Sequence, residues 1–230
     1  MKIHIDQVAL IGHTYNEYKQ MFGFTREALK NKKVLDAGGG VSNFTGIANA
    51  FGLDVVAVDT IYDLPIPELE QRCNTDLAHV LNQLPKINNL YNWDYFGDIS
   101  GLEISRIKSS QLFLKDYENS PNHYVSGSLR NLPFDAFSVD ISLVSHLMFL
   151  YDELLDEQFH MEALKELMRV TKEEIIIFPL YNLSGEESDF VQPIKEKLKE
   201  LDVKYVIEES EYPVMKNKNL RMRIILNQKK

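Results

Sequence analysis

With 230 residues, 44% of them hydrophobic, the chain can bury one full core with an appended subdomain, and disorder is not the default reading. A formal charge of -9 repels phosphate backbones, which disfavours nucleic acid as a partner and favours a small-molecule substrate. A single cysteine, Cys73, excludes an internal disulfide and a cysteine-based zinc cage and fits a reducing cytoplasm, while no apolar run approaches the roughly 18 residues that span a bilayer.

The first ten residues carry His4 and Asp6 among apolar neighbours, so neither export nor membrane insertion is expected. Residues 1–30 read as a helical preface. Thr14 and Glu17 form a capping-box pattern ahead of Tyr18, Met21 and Phe22, Gly23 is a stop, and a second short helix starts near Thr25. From Val34 onward, short apolar runs alternate with segments of helical period, which predicts an α/β fold with a mostly parallel sheet. The first strand, Val34-Leu35-Asp36, meets Ala37-Gly38-Gly39-Gly40, and Ser42 stands as N-cap of a helix with Phe44, Ile47, Ala48 and Phe51 on its apolar face. Gly52 falls where its C-cap belongs, and a second strand, Leu53 to Val58, ends in Asp59.

The next strand is read at Tyr124-Val125, leaving 64 residues (60 to 123), more than a crossover helix requires. Residues 61–122 are therefore expected to be a helical insertion, with helices over Pro67 to Leu84 and Gly101 to Tyr117 and the aromatics Tyr91, Trp93, Tyr95 and Phe96 between them. Further strands are read at Val139 to Val144 and Ile175 to Phe178. One apolar helical stripe runs from Leu154 to Val170 and another from Phe190 to Leu201. Lys204 to Glu209 and Arg221 to Leu226 predict a closing hairpin and thus an antiparallel last strand. The nearby cations Lys216, Lys218, Arg221 and Arg223 read as a solvated hairpin edge.

Chemistry is most legible in the turn from Asp36 to Ser42, where glycines let a ligand approach the backbone at the carboxyl end of a strand. A dinucleotide site wants Gly-x-Gly-x-x-Gly to seat a pyrophosphate, but Asn43 occupies the third glycine position. Asp36, immediately before the turn, would weaken phosphate binding yet suit a cationic amino acid moiety, so the residues favour S-adenosylmethionine over a nicotinamide cofactor. Asp59 lies where an acid can accept both ribose hydroxyls; alternatively it merely starts the following turn with Thr60.

The segment Val34 to Ala48, VLDAGGGVSNFTGIA, resembles the first motif of class I S-adenosylmethionine-dependent methyltransferases, with Ser42 in place of that motif's last glycine. Ser126 to Phe134, followed by Phe137 to Leu147, is similar to the family's run from the third strand into the fourth, although Ser128 stands where members often carry an acid for the adenine amino group. The resemblance covers Val34 to Asp59 and Tyr124 to Leu226. It implies a Rossmann-like, seven-stranded, mostly parallel sheet with an antiparallel last strand, helices on both faces, and the insertion after the second strand. Tyr91-Asn92-Trp93 and Ser145 to Tyr151 also resemble stretches of bacterial members whose substrate is unassigned. The cofactor-binding set thus implied is Asp36, Gly38, Gly39, Gly40, Ser42, Asn43, Asp59, Thr60, Ser128, Leu129, Ser145 and Tyr15.

His146, just after the fourth strand, is the first choice for a proton acceptor, against the alternative that it caps the strand end or touches the cofactor. His160 shares a helical face with Phe159 and Ala163 and reads as packing. The six histidines show no ligand-like spacing with acids, so no metal site is expected. No Gly-x-Ser-x-Gly elbow supports a hydrolase, and Ser145 and His146 would point to opposite faces of a strand. The aromatics of the insertion either floor a substrate pocket or glue the insertion to the sheet. Two other functions remain open at this level: a nicotinamide-dependent oxidoreductase and a non-catalytic S-adenosylmethionine-binding module.

Overall fold

The alternation that begins at Val34 folds, in the computed structural model, into one seven-stranded sheet; the structure describes residues 5–216 and 219–226, so His4 and Lys218 lie outside the described residues. The strands are β1 (Lys33–Ala37), β2 (Asp54–Asp59), β3 (Tyr124–Ser126), β4 (Val139–Ser145), β5 (Thr171–Phe178), β6 (Lys204–Glu209) and β7 (Leu220–Ile225). Their order is β3-β2-β1-β4-β5-β7-β6, with β7 antiparallel to both β5 and β6. The remaining pairs, β1 with β2 and β4, β2 with β3, and β4 with β5, are parallel. Strand order reverses between β1 and β4, and this switch point is where open α/β sheets hold ligands.

Helices cover both faces because successive strand residues point to opposite sides. Leu35, Ala37, Ile175 and Ile177 pack against α6 (Glu157–Val170) and α7 (Val191–Glu200). Val34, Val55, Ile176 and Phe178 face α1 (Tyr15–Phe22), α2 (Arg26–Leu29) and α3 (Phe44–Ala50). The preface is thus part of the core: Tyr18, Met21 and Phe22 are fully buried on the sheet. Between β2 and β3 the chain forms α4 (Ile66–Gln83), a 3-10 segment (Leu84–Leu90) and α5 (Ile99–Asn119). Leu69, Cys73 and Phe113 from this region join Ala57 and Tyr124, while Leu84, Ile87 and Leu102 form a small core of its own.

Three expected boundaries move. β5 starts at Thr171, four residues before its apolar run, because backbone pairing with β4 and β7 continues through Thr171 and Glu174. α6 starts at Glu157, where Asp156 caps Phe159 N–H at 2.8 Å, leaving Leu154 exposed on the surface and Leu155 outside the helix. The cap of α3 is Asn43, not Ser42, and neither side chain makes a cap bond there. Of the hairpin cations, Arg223 is partly exposed and bonds Glu174 at 2.7 Å, but Arg221 departs from the solvated edge expected of it. It is buried, bonding Glu208 at 2.8 Å and donating to Met21 O at 3.1 Å, because the preface packs over the hairpin there.

Candidate functional site

The glycine turn after β1 is bent by two left-handed residues, Gly38 (φ 71°) and Gly40 (φ 53°), a region that side chains rarely adopt. Gly38 N–H and Gly39 N–H both donate to Val58 O, at 2.8 and 3.3 Å, which ties the turn to the end of β2. A Cβ on Gly40 would meet nothing within 4 Å, whereas one on Gly38 would strike the tip of Leu147. Beneath the turn, Asp36 is buried, with Tyr18 Oη donating to Oδ1 at 3.0 Å and Thr45 Oγ1 to Oδ2 at 3.1 Å. Burial raises its pKa to about 7, despite these two hydrogen bonds and aided by the charge of Asp59. Asp36 therefore supports the turn from below and is not on the cavity wall.

Asp59 reaches the wall from the end of β2. Its Oδ2 accepts from Gly40 N–H at 3.0 Å and its Oδ1 from Ile61 N–H at 3.2 Å, with Thr60 Oγ1 close by. Burial pushes its carboxyl up, partly offset by the amides of Gly40, Ile61 and Thr60. Asp59 thus starts the turn with Thr60, and it also lies on the cavity wall.

Ser42 and Asn43 sew the preface onto the turn. Ser42 Oγ accepts from His13 N–H at 3.1 Å, Asn43 Oδ1 accepts from Tyr15 N–H at 2.9 Å, and Asn43 N–H donates to His13 O at 3.1 Å. Ser42 lines the cavity; Asn43 does not. Tyr15 also stays off the cavity, its ring lying among Phe24, Phe44 and Phe51. Tyr18, three residues on, takes the place expected of it.

On the other side of β2 from the glycine turn, Gly127, Ser128 and Leu129 line the cavity after β3, and Gly127 N–H donates to Asp59 O at 3.1 Å. Ser128 Oγ accepts from Arg130 N–H at 3.2 Å, and Leu129 is buried. After β4, Ser145 and His146 line it together, with Ser145 Oγ 3.0 Å from His146 Nδ1. The two side chains meet, contrary to the strand argument, because the strand ends at Ser145 and His146 turns back with φ 49°. His160 is core, as expected: it stacks on Phe190 at 4.1 Å and its ring nitrogens face Asp156 O and Met148 O.

Sequence reading missed the partner of His146. The His13 ring stacks on it with centroids 4.1 Å apart and planes within 14°. Burial holds both imidazoles below their usual range, that of His146 to about 3; Arg106 pushes both further down, and for His13 the His146 charge does so as well. Beside them lies a buried ion pair, Arg106 Nη1 to Glu17 Oε2 at 2.8 Å and Nη2 to Oε1 at 2.7 Å, with Tyr212 Oη donating to Oε1 at 2.6 Å. Burial pushes the Glu17 carboxyl up, but the charge and hydrogen bonds of Arg106, with Tyr212 and the Thr14 amide, hold it below the ordinary range. Of the insertion aromatics, Tyr91 lines the cavity and stacks on Trp93, while Tyr95 packs edge-on to Tyr212.

The sheet order, the reversed β7 and the strand-end cavity together define the fold of class I S-adenosylmethionine-dependent methyltransferases. A TehB-like S-adenosylmethionine-dependent methyltransferase from Corynebacterium glutamicum superposes with a TM-score of 0.51 at 15% identity, over 93% of this chain and 88% of its own. Phosphoethanolamine N-methyltransferase 1 from Haemonchus contortus, solved with phosphoethanolamine and S-adenosylhomocysteine, gives 0.50 at 14% identity over 91% of this chain and 41% of that one. The chain belongs to the family of the uncharacterized protein MJ0045 of Methanocaldococcus jannaschii, with 35% identity over 218 residues, 94% of this chain and 96% of that protein. No family profile matches.

Proposed function

We propose that this protein transfers the methyl group of S-adenosylmethionine to a small-molecule acceptor. The observation that carries the reading is the convergence on one cavity, of about 470 Å³, of the left-handed glycine turn after β1, Asp59 after β2, Ser128 and Leu129 after β3, and His146 after β4. These strand ends lie side by side across the switch point of the sheet.

The residues fit the cofactor. Open space over Gly40 admits close backbone approach, Asp59 offers one ribose hydroxyl the remaining lone pair of Oδ2 and the other the place on Oδ1 now held by the rotatable Thr60 hydroxyl, and buried Leu129 offers an apolar surface beside the Ser128 hydroxyl for adenine. S-adenosylhomocysteine in the Haemonchus enzyme of the same fold supports this assignment. When bound, the cofactor supplies an electrophilic methyl group on a sulfonium; the chain's own residues align the acceptor and exclude water, so no catalytic triad is required. His146 accepts a proton where the acceptor must lose one.

Residues 61–122 serve as a lid on the substrate side. In support, Leu10 N–H donates to Asp76 on α4 at 2.9 Å and Arg72 Nη2 donates to Val8 O at 3.2 Å, so the extended segment before α1 is tied to α4 where both line the cavity. Methyl-labelled S-adenosylmethionine incubated with the protein and an extract of small metabolites should pass label to a low-molecular-weight product. Label transferred only to macromolecules would contradict the small-molecule assignment.

A further inference from the structure

Beyond the cofactor residues the cavity has a second region, walled by Val8, Leu77, Val80, Leu81, Ile87 and Leu102. The same cavity is lined at the end of β4 by His146 and by the His13 ring stacked on it. The charges that line the cavity, among the described residues, are Asp59, Arg72 and Arg106. Arg106 is neutralised by Glu17 through two hydrogen bonds, and Arg72 is matched by Asp76 at 3.3 Å, although its buried Nε has no partner. Asp59 is held by the Gly40 and Ile61 amides on the cofactor side.

An anionic acceptor would therefore find no uncompensated cation here, and an ammonium no uncompensated carboxylate beyond Asp59. A charge buried without a counterion is strongly penalised. The histidines, kept neutral by burial and by Arg106, instead offer ring nitrogens to a hydrogen-bond donor. His146 Nδ1 is engaged by Ser145 Oγ, which leaves Nε2 for the ligand.

Building on the methyltransferase reading, we propose that the acceptor is an uncharged, mainly apolar molecule whose hydroxyl hydrogen-bonds to the His13–His146 pair while its body lies on the apolar wall. In the transfer, His146 Nε2 takes the hydroxyl proton as the oxygen bonds to the methyl carbon. The electron pair of the breaking carbon–sulfur bond stays on sulfur, and the imidazole later releases its proton to solvent. A weak base suffices, because the hydroxyl proton becomes strongly acidic as the new carbon–oxygen bond forms.

Calorimetry with three ligands of one apolar body tests this: 4-propylphenol (neutral), 4-propylbenzoate (anion) and 4-propylbenzylamine (cation) at pH 7.5, each against the protein with and without S-adenosylhomocysteine. The phenol should bind at least about tenfold more tightly than either charged analogue, a gap of about 1.4 kcal/mol. His146→Asn, which suits the left-handed backbone at φ 49°, and His13→Ala should each weaken phenol binding several-fold. Equal or tighter binding of the benzoate, especially if abolished by Arg72→Met, would make Arg72 an anion receptor and overturn the proposal. So would preference for the amine, undiminished phenol binding in folded histidine variants, or no binding by any of the three. The head-group comparison on the unaltered protein decides even where a variant fails to fold. Failure of S-adenosylhomocysteine to bind would instead strike the cofactor reading alone, since head-group selectivity is read without it as well.

Discussion

Asp59→Ala isolates the ribose contact. In the free protein Oδ2 accepts from Gly40 N–H at 3.0 Å and Oδ1 from Ile61 N–H at 3.2 Å and Thr60 Oγ1 at 3.4 Å, so one ribose hydroxyl takes the remaining lone pair of Oδ2 and the other takes the place of the rotatable Thr60 hydroxyl on Oδ1. Two added hydrogen bonds from ribose hydroxyls to a charged acceptor are worth roughly 1.5 to 3 kcal/mol each before water replaces them. Allowing for that replacement, affinity for S-adenosylhomocysteine should fall by at least about tenfold, or about 1.4 kcal/mol. Part of the loss will come from the turn, since Gly40 N–H loses its acceptor; Asp59→Asn, which keeps one acceptor oxygen, should fall between the alanine variant and the parent. Asp63→Ala is the control, an exposed acid four residues on. Isothermal titration of all three variants reads the result. Asp59→Ala and Asp63→Ala proving equally harmless would refute the placement of the ribose at the end of β2.

Arg106→Met strands the Glu17 charge inside the protein and should destabilise by about 3–5 kcal/mol, lowering the melting temperature by about 10 °C, with much of the loss recovered in Glu17→Leu/Arg106→Met; a single-variant drop under about 2 °C would show the pair to be dispensable. Asp36 titrates at about 7 in the folded chain against 3.8 ordinarily, so its stability contribution is fully present below pH 4 and is lost as pH rises toward 7. Asp36→Asn should therefore flatten the decline in urea-derived stability across that window, and an unchanged slope would contradict a buried, protonatable carboxyl. Hydrogen exchange should slow over residues 91–96 when S-adenosylhomocysteine is added, as a lid requires; identical exchange with and without ligand would make the insertion a static subdomain.

Local signals carried the frame. The Thr14–Glu17 box, the Gly38–Gly40 turn and the apolar strands each depend on neighbours in sequence, and the structure places them where the spacing puts them. The misses share one physical origin, which is that a side chain's partner lies far along the chain. Glu17 caps α1 as read, with Thr14 N–H donating to it at 2.7 Å, yet its larger role is toward Arg106, 89 residues away. His13 gives no sign of stacking on His146 because the preface, the turn and α5 must first assemble, with Ser109 Oγ donating to His13 O at 2.7 Å. Tyr15 and Tyr18 differ only in which side of an eight-residue helix they occupy, and packing on Phe44 uses both rings, so the choice between them depends on how the helix is rotated on the sheet. Ser42 and Asn43 were legible as polar residues at a helix start, but the donors they serve, the His13 and Tyr15 amides, come from another segment.

The most direct test of the central claim is thermal unfolding in the presence of S-adenosylmethionine, S-adenosylhomocysteine or NAD at equal concentrations. A ligand that binds only the folded chain raises the melting temperature by mass action, with about 2.7 kcal/mol gained at a hundredfold excess over the dissociation constant. The two sulfur nucleosides should raise it by several degrees and NAD should leave it unchanged. Stabilisation by NAD equal to or greater than that by S-adenosylhomocysteine would contradict the account and assign the cavity to a nicotinamide cofactor.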